Sequence, residues 1–75
     1  MHWSEVWNIA SRLPSGKAYA FSEREIQEAA QCQLDSAFDR VRPSDIIDFT
    51  NNLKDQFNVD MKENQINGSW VMRRN

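Results

Sequence analysis

The chain has 75 residues, of which 40% are hydrophobic and eight are aromatic, and its formal net charge is −2. This length predicts one domain, residues 1–75, and the apolar content exceeds that of disordered chains. A single cysteine excludes an internal disulfide, and no apolar run approaches the roughly 20 residues that span a bilayer. We therefore expect a cytoplasmic protein without a membrane partner.

The charge is unevenly distributed along the chain. Between Phe21 and Asp60, nine acidic residues oppose four basic ones, whereas residues 1–20 and 61–75 carry net charges of +1 and +2. An acidic centre between mildly basic ends bears on the choice of partner, because the summed charge of a surface steers association.

The first predicted element is an amphipathic helix. Its apolar residues follow the helical spacing of one buried face: Trp3, Val6, Trp7, Ala10 and Leu13. Ser4 is placed to cap the start, and the segment Pro14–Gly16 ends the helix.

A short extended piece, Lys17–Phe21, then leads into a second helix. Ser22 and Glu25 form an S-x-x-E capping box, in which each residue satisfies a backbone N–H group of the other. Phe21 and Ile26 flank this box as a hydrophobic staple. The sequence therefore predicts a helix that starts at Ser22.

The length of this second helical region is left open by the sequence. Apolar residues keep helical phase from Ile26 to Val41. They are consistent with one long helix over 22–41 or with two short helices, the second capped by Asp35.

A further helix is predicted from Pro43 and Ser44 to a stop at Asn58. Its N-terminal aspartates favour the positive end of the helix dipole. Its buried stripe consists of Ile46, Phe49, Leu53 and Phe57.

The C-terminal segment is predicted to form a two-stranded ribbon. A tight turn at Asn67-Gly68 would mix apolar and polar residues on both faces. A wide loop over Lys62–Ser69 instead pairs Met61 with Trp70 and Val59 with Met72, which gathers the apolar residues on one face. We expect the wide loop, with Arg73 and Arg74 left outside the core.

The predicted fold is α+β and winged-helix-like. It has three to four helices and a C-terminal two-stranded β-ribbon, the wing, and Lys17–Phe21 is placed to add a short strand after the first helix. This expectation rests on the order of the elements.

Catalysis and metal binding are not expected. His2 is the only histidine and lies near a terminus without fixed partners, while Cys32 lies among apolar residues and is predicted to be buried. One histidine and one cysteine cannot form a soft metal site. The sequence therefore predicts a protein that is not an enzyme and uses no cofactor and no metal.

A DNA-binding surface is the first functional hypothesis. In a winged-helix arrangement the third helix meets the major groove and the wing reaches the backbone, and Asn or Gln can read adenine edges. The candidate nucleic-acid-binding residues are Asn51, Asn52, Lys54, Lys62, Asn64, Gln65, Arg73 and Arg74. This hypothesis describes a small regulatory protein, in transcription for example, that acts on DNA or within a DNA-bound complex.

A protein-only adaptor or inhibitor is the alternative hypothesis. Acidic helical residues would meet a basic patch on a partner, and exposed apolar residues would anchor the contact. The candidate protein-binding residues are Trp3, Asp45, Asp48 and Ile66. Trp3 has a structural reading as well, because it can complete the buried face of the first helix.

Overall fold

Three helices and three strands make up the part of the chain that the computed structural model describes, residues 1–34 and 39–75. In chain order they are α1 (Trp3–Arg12), β1 (Ala18–Phe21), α2 (Glu23–Gln33), α3 (Pro43–Phe57), β2 (Val59–Glu63) and β3 (Trp70–Arg74). The strands form one antiparallel sheet in the order β1-β3-β2. The predicted α+β class and the predicted short strand after the first helix are confirmed.

Helix α1 begins two residues earlier than a cap at Ser4 would allow. The extended residue His2 is the N-cap, and its ring Nδ1 accepts a hydrogen bond from the backbone N–H of Ser4 at 3.1 Å. Including Trp3 in the helix lets its ring pack edge-on against Trp7, with centroids 5.4 Å apart. The prediction that His2 lacks fixed partners is therefore wrong, as is the cap at Ser4.

The capping box at the start of α2 is confirmed. Ser22 Oγ accepts from the Glu25 N–H at 3.1 Å, and Glu25 Oε1 accepts from the Ser22 N–H at 2.9 Å. The staple residues Phe21 and Ile26 are both buried. Cys32 is exposed, so the prediction that it is buried is wrong. The buried face of α2 follows Ile26, Ala29 and Ala30, and at 100° per residue position 32 points away from it.

A continuous helix over 22–41 is excluded. Leu34 is the extended C-cap of α2, with ψ of 141°, and Asp39 and Arg40 are not helical. The alternative of a second short helix capped by Asp35 lies outside the described residues.

Helix α3 has the predicted Pro43 at its first position and ends at Asn58, which adopts the left-handed conformation with φ of 54°. Its start is stabilised by Asp45, whose Oδ2 accepts from the Arg42 N–H at 2.7 Å, rather than by Ser44. Thr50 is buried beside the predicted stripe, and its hydroxyl donates to backbone carbonyls of the preceding turn.

The β2–β3 ribbon has the predicted faces and a different register. Val59, Met61, Trp70 and Met72 are all buried. Met61 pairs with Met72 and Glu63 with Trp70, a shift of two residues from the predicted pairs. The loop is shorter than expected because the backbone hydrogen bonds Asn64 N–H to Ser69 O and Gly68 N–H to Asn64 O close it over residues 64–69. A two-residue shift preserves which face each side chain occupies.

The core lies between the inner face of the sheet and the three helices. Trp7 connects α1 to α3, since its ring contacts Phe49 and Phe57 and its Nε1–H donates to Gln56 Oε1 at 3.0 Å. Within the described ranges, none of the helices is both long and apolar enough to cross a bilayer.

Candidate functional site

The solvent-facing side of α3 is acidic. Along this helix, all of which the structure describes, the exposed positions are Pro43, Ser44, Ile47, Asp48, Asn51, Asn52, Asp55 and Gln56. Its one basic residue, Lys54, is half-buried and lies on the flank of this surface. Two carboxylates and no fully exposed cation therefore define the electrostatics of the exposed face of α3.

The two asparagines expected to read bases are exposed on this face. Asn51 and Asn52 lie one helical turn from both Asp48 and Asp55. The amides have the hydrogen-bonding groups that adenine edges require. The neighbouring carboxylates would repel the phosphates that must approach at the same time.

The β2–β3 loop is shaped by its own polar side chains. Asn64 Oδ1 accepts from the Ile66 N–H, and Asn67 Oδ1 accepts from the Ser69 N–H, both at 3.0 Å. Gln65 is exposed and Ile66 is 97% exposed at the tip. The loop carries no charged residue, so Asn64 serves the turn and only amides and an isoleucine face outward.

Lys62 and Arg73 lie on the outer face of the sheet, which points away from the helices. Each is exposed and follows a buried methionine of its strand, and Arg73 stands directly opposite Asp60. With Val71 they line a shallow depression of about 110 Å³. The structure therefore places these two cations on a different layer from Asn51 and Asn52.

Arg74 points inward, contrary to the expectation that both arginines lie outside. It follows Trp70 and Met72 at the two-residue spacing of one strand face. Its Nε donates to Leu13 O at 2.6 Å, its Nη1 to Phe57 O at 2.9 Å, and its Nη2 to Ala10 O. The guanidinium thus satisfies carbonyls at the C-terminal ends of α1 and α3, where the helix dipoles favour a cation.

The candidate protein-binding residues differ in availability. Trp3 is half-buried against the core, in agreement with its structural reading, and Asp45 is half-buried and bonded to the Arg42 backbone. Asp48 and Ile66 are exposed. Only these two side chains are therefore free to meet a partner without disturbing a cap or the core.

Glu28 of α2 forms two salt bridges. The amino group of Met1 lies 2.5 Å from Glu28 Oε2, and Arg24 Nε donates to Glu28 Oε1 at 3.0 Å. The hydrogen bond to Glu28 raises the pKa of the Met1 amino group, and the same bond lowers the pKa of Glu28. Glu28 is thus already paired, which leaves Glu23 as the freer carboxylate on this helix.

A cleft of about 230 Å³ opens between α2, the start of α3 and the β2–β3 loop. We call it the α2–α3 cleft. Its apolar lining consists of Ile26, Val41, Pro43, Ile46, Ile47 and Trp70. Glu23, Gln27, Arg42 and Glu63 supply its polar lining.

The β2–β3 loop forms one side of this cleft, and its close approach to α2 requires a glycine at position 68. This residue has φ of +72°, and a Cβ atom there would lie 2.7 Å from Glu23 Oε2. A glycine allows both the left-handed turn and the close approach of the loop to α2.

The cleft was missed at the sequence level, although one signal pointed to it. Ile46 and Ile47 are consecutive on a helix and lie about 100° apart around its axis, so one of them is expected at the edge of the buried stripe that Phe49 and Leu53 define. Ile46 is half-buried and Ile47 is 51% exposed at the edge of the cleft.

His2 and Ser4 form a histidine–hydroxyl pair on the surface, with His2 Nδ1 2.7 Å from Ser4 Oγ. Among the residues that the structure describes, no third side chain is hydrogen-bonded to this pair. No group of three potential metal ligands among His, Cys, Asp and Glu comes together within residues 1–34 and 39–75.

Comparison of the chain with protein-family models, with curated proteins and with solved structures gives no match. Any functional inference therefore rests on the geometry and electrostatics of the chain itself.

Proposed function

We propose that the protein is a small, non-enzymatic regulatory binding module with a winged-helix-like architecture. It recognises a protein partner through the acidic solvent face of α3. The order helix, strand, two helices and a two-stranded ribbon supports the architecture, together with the insertion of β3 between β1 and β2. The acidic α3 face is the observation that carries the function.

The charge distribution favours a protein over nucleic acid. Phosphate contacts supply much of the affinity in protein–DNA complexes. Asp48 and Asp55 occupy the face that would enter a groove, and Arg74 is engaged by three backbone carbonyls. Carboxylates on an exposed helix complement a basic patch on a partner protein. Such complementary charges raise the association rate and the specificity of binding.

A charge reversal tests this proposal. Asp48→Lys should abolish capture of the partner from a lysate of the source organism, while Asp39→Lys, an equal change at an exposed position outside α3, should leave capture intact. The measurement is quantitative mass spectrometry of the captured proteins after nuclease treatment. Equal recovery by Asp48→Lys and by the unmodified protein would contradict the proposal.

DNA contact within a bound complex is the second candidate, favoured by the exposed amides of Asn51 and Asn52 and by the exposed cations Lys62 and Arg73. A partner protein would hold the module on DNA, since its own cations are few. In this case Arg73→Ala should weaken binding to duplex DNA and reduce the salt dependence by about one phosphate contact. If the DNA titration of Arg73→Ala equals that of the unmodified protein, Arg73 does not contact DNA.

A further inference from the structure

The α2–α3 cleft has the composition of a recognition site for one apolar anchor. Of its apolar lining, Ile26 and Trp70 are buried, Ile46 is half-buried and Ile47 has 51% of its surface exposed. Its volume of about 230 Å³ is below the range of about 300–1,000 Å³ typical of small-molecule pockets. A space of this size suits one or two side chains of a partner, and the burial of such anchors dominates many interfaces.

The polar lining of the cleft specifies the charge of its occupant. Among the described lining residues, Glu23 and Glu63 contribute two carboxylates, and Arg42 contributes one cation. Within residues 1–34 and 39–75, the hydrogen bond that Glu23 Oε1 accepts comes from a neutral donor, Gln27 Nε2, at 3.2 Å. The exposed carboxylate of Asp48 follows Ile47 in the chain. A lysine or arginine next to the apolar anchor would therefore meet complementary charge.

We infer that the α2–α3 cleft binds a partner protein segment in which an apolar side chain is flanked by lysine or arginine. This inference rests on the proposed function and identifies the part of the surface that provides the anchor. The acidic α3 face steers a basic segment toward the protein, and the cleft buries its apolar residue. Arg42, which also lines the cleft, can donate hydrogen bonds to a backbone carbonyl or a carboxylate of the same segment.

The chain offers a matched pair of variants for the test. Ile47 and Ile66 are both exposed isoleucines, but only Ile47 lines the cleft. Ile47→Asp and Ile66→Asp make the same chemical change, and neither residue belongs to the buried core. Glu63→Gln is a second cleft variant that removes one charge and keeps the shape of the side chain. Circular dichroism and denaturant unfolding establish that each variant keeps its fold.

The experiment pans a phage-displayed library of random peptides against the purified full chain. We expect enrichment of peptides that carry an apolar residue beside lysine or arginine. Ile47→Asp should weaken their binding by about tenfold or more, and Ile66→Asp by less than about twofold. Glu63→Gln should weaken it by a smaller factor and reduce its dependence on salt. Fluorescence anisotropy of the synthesised peptides gives these ratios.

Any other pattern overturns the inference: no enrichment, enriched peptides without basic residues, or equal losses from both isoleucine variants. Panning uses no natural partner, so a negative panning result excludes the cleft as a peptide-binding site without testing the proposed function. A natural partner that is lost with Asp48→Lys and retained with Ile47→Asp would leave the proposed function intact and exclude the cleft.

Discussion

Arg74 is one of two arginines in the basic C-terminal segment, and its side chain belongs to the fold rather than to the surface. Its guanidinium donates to carbonyls of Ala10, Leu13 and Phe57, so it joins the ends of two helices to the last strand. Arg73, one position earlier, faces solvent on the outer side of the sheet. Two adjacent arginines thus have different roles, and only Arg73 remains available to a partner.

This difference gives a prediction at the scale of the residue. Arg74→Met should lower the free energy of unfolding by about 2–3 kcal/mol, because it removes charge-assisted hydrogen bonds and leaves part-buried carbonyls without a donor. Arg73→Met, the same change at the neighbouring exposed position, should alter stability by less than about 0.5 kcal/mol. Denaturant unfolding monitored by tryptophan fluorescence measures both values. Equal stabilities of the two variants would contradict the structural role of Arg74.

The inward direction of Arg74 could have been predicted from the sequence. Residues 70, 72 and 74 share one face of a strand, and Trp70 and Met72 were already expected to be buried. Hydrophobicity alone suggested that the face ended at Met72. The alternation of residues along a strand does not predict where the carbonyls of α1 and α3 lie. Their positions are set only when the helices pack against the sheet.

Among the secondary-structure elements, α3 combines a buried apolar side with an exposed acidic one. Phe49 and Leu53 are buried in the core. Asp55 lies in the last turn, where the negative end of the helix dipole disfavours a carboxylate. The charge of Asp55 therefore opposes the stability of α3 while it adds to the acidic α3 face.

The position of Asp55 gives an element-scale prediction. Asp55→Lys should raise the free energy of unfolding by about 0.3–1 kcal/mol, because a cation in the last turn interacts favourably with the helix dipole. The same variant should weaken capture of the protein partner. Denaturant unfolding at low ionic strength and a parallel capture assay provide the two readouts. A variant that is less stable, or that captures the partner as well as the original chain, would contradict this account of α3.

The elements themselves were predictable to different degrees. The capping box at Ser22 and the stop at Asn58 are local signals, and the structure confirms both. The β2–β3 register is non-local. Alternation fixes which residues are buried but not which of two registers, two residues apart, is adopted. The hydrogen bonds of Asn64, Gly68 and Ser69 decide this point, and their geometry is not encoded in a hydrophobic pattern.

At the scale of the whole molecule, the candidate DNA-binding residues do not form one positive face. Asn51 and Asn52 lie beside two aspartates on α3, Lys62 and Arg73 lie on the outer face of the sheet, and Arg74 points into the structure. The sequence supplied the element order and most of the core. It could not supply the α2–α3 cleft, since residues from α2, α3 and the β2–β3 loop meet there only in the folded chain.

A fluorescence-anisotropy titration of labelled duplex DNA with the purified protein at about 50 mM salt tests the preference for a protein partner most directly. With an acidic α3 face and Arg74 engaged in the fold, we expect a dissociation constant weaker than about 100 µM and little change between about 50 and 200 mM salt. Binding tighter than about 1 µM, with an affinity that falls with salt as expected for three or more phosphate contacts, would contradict the account.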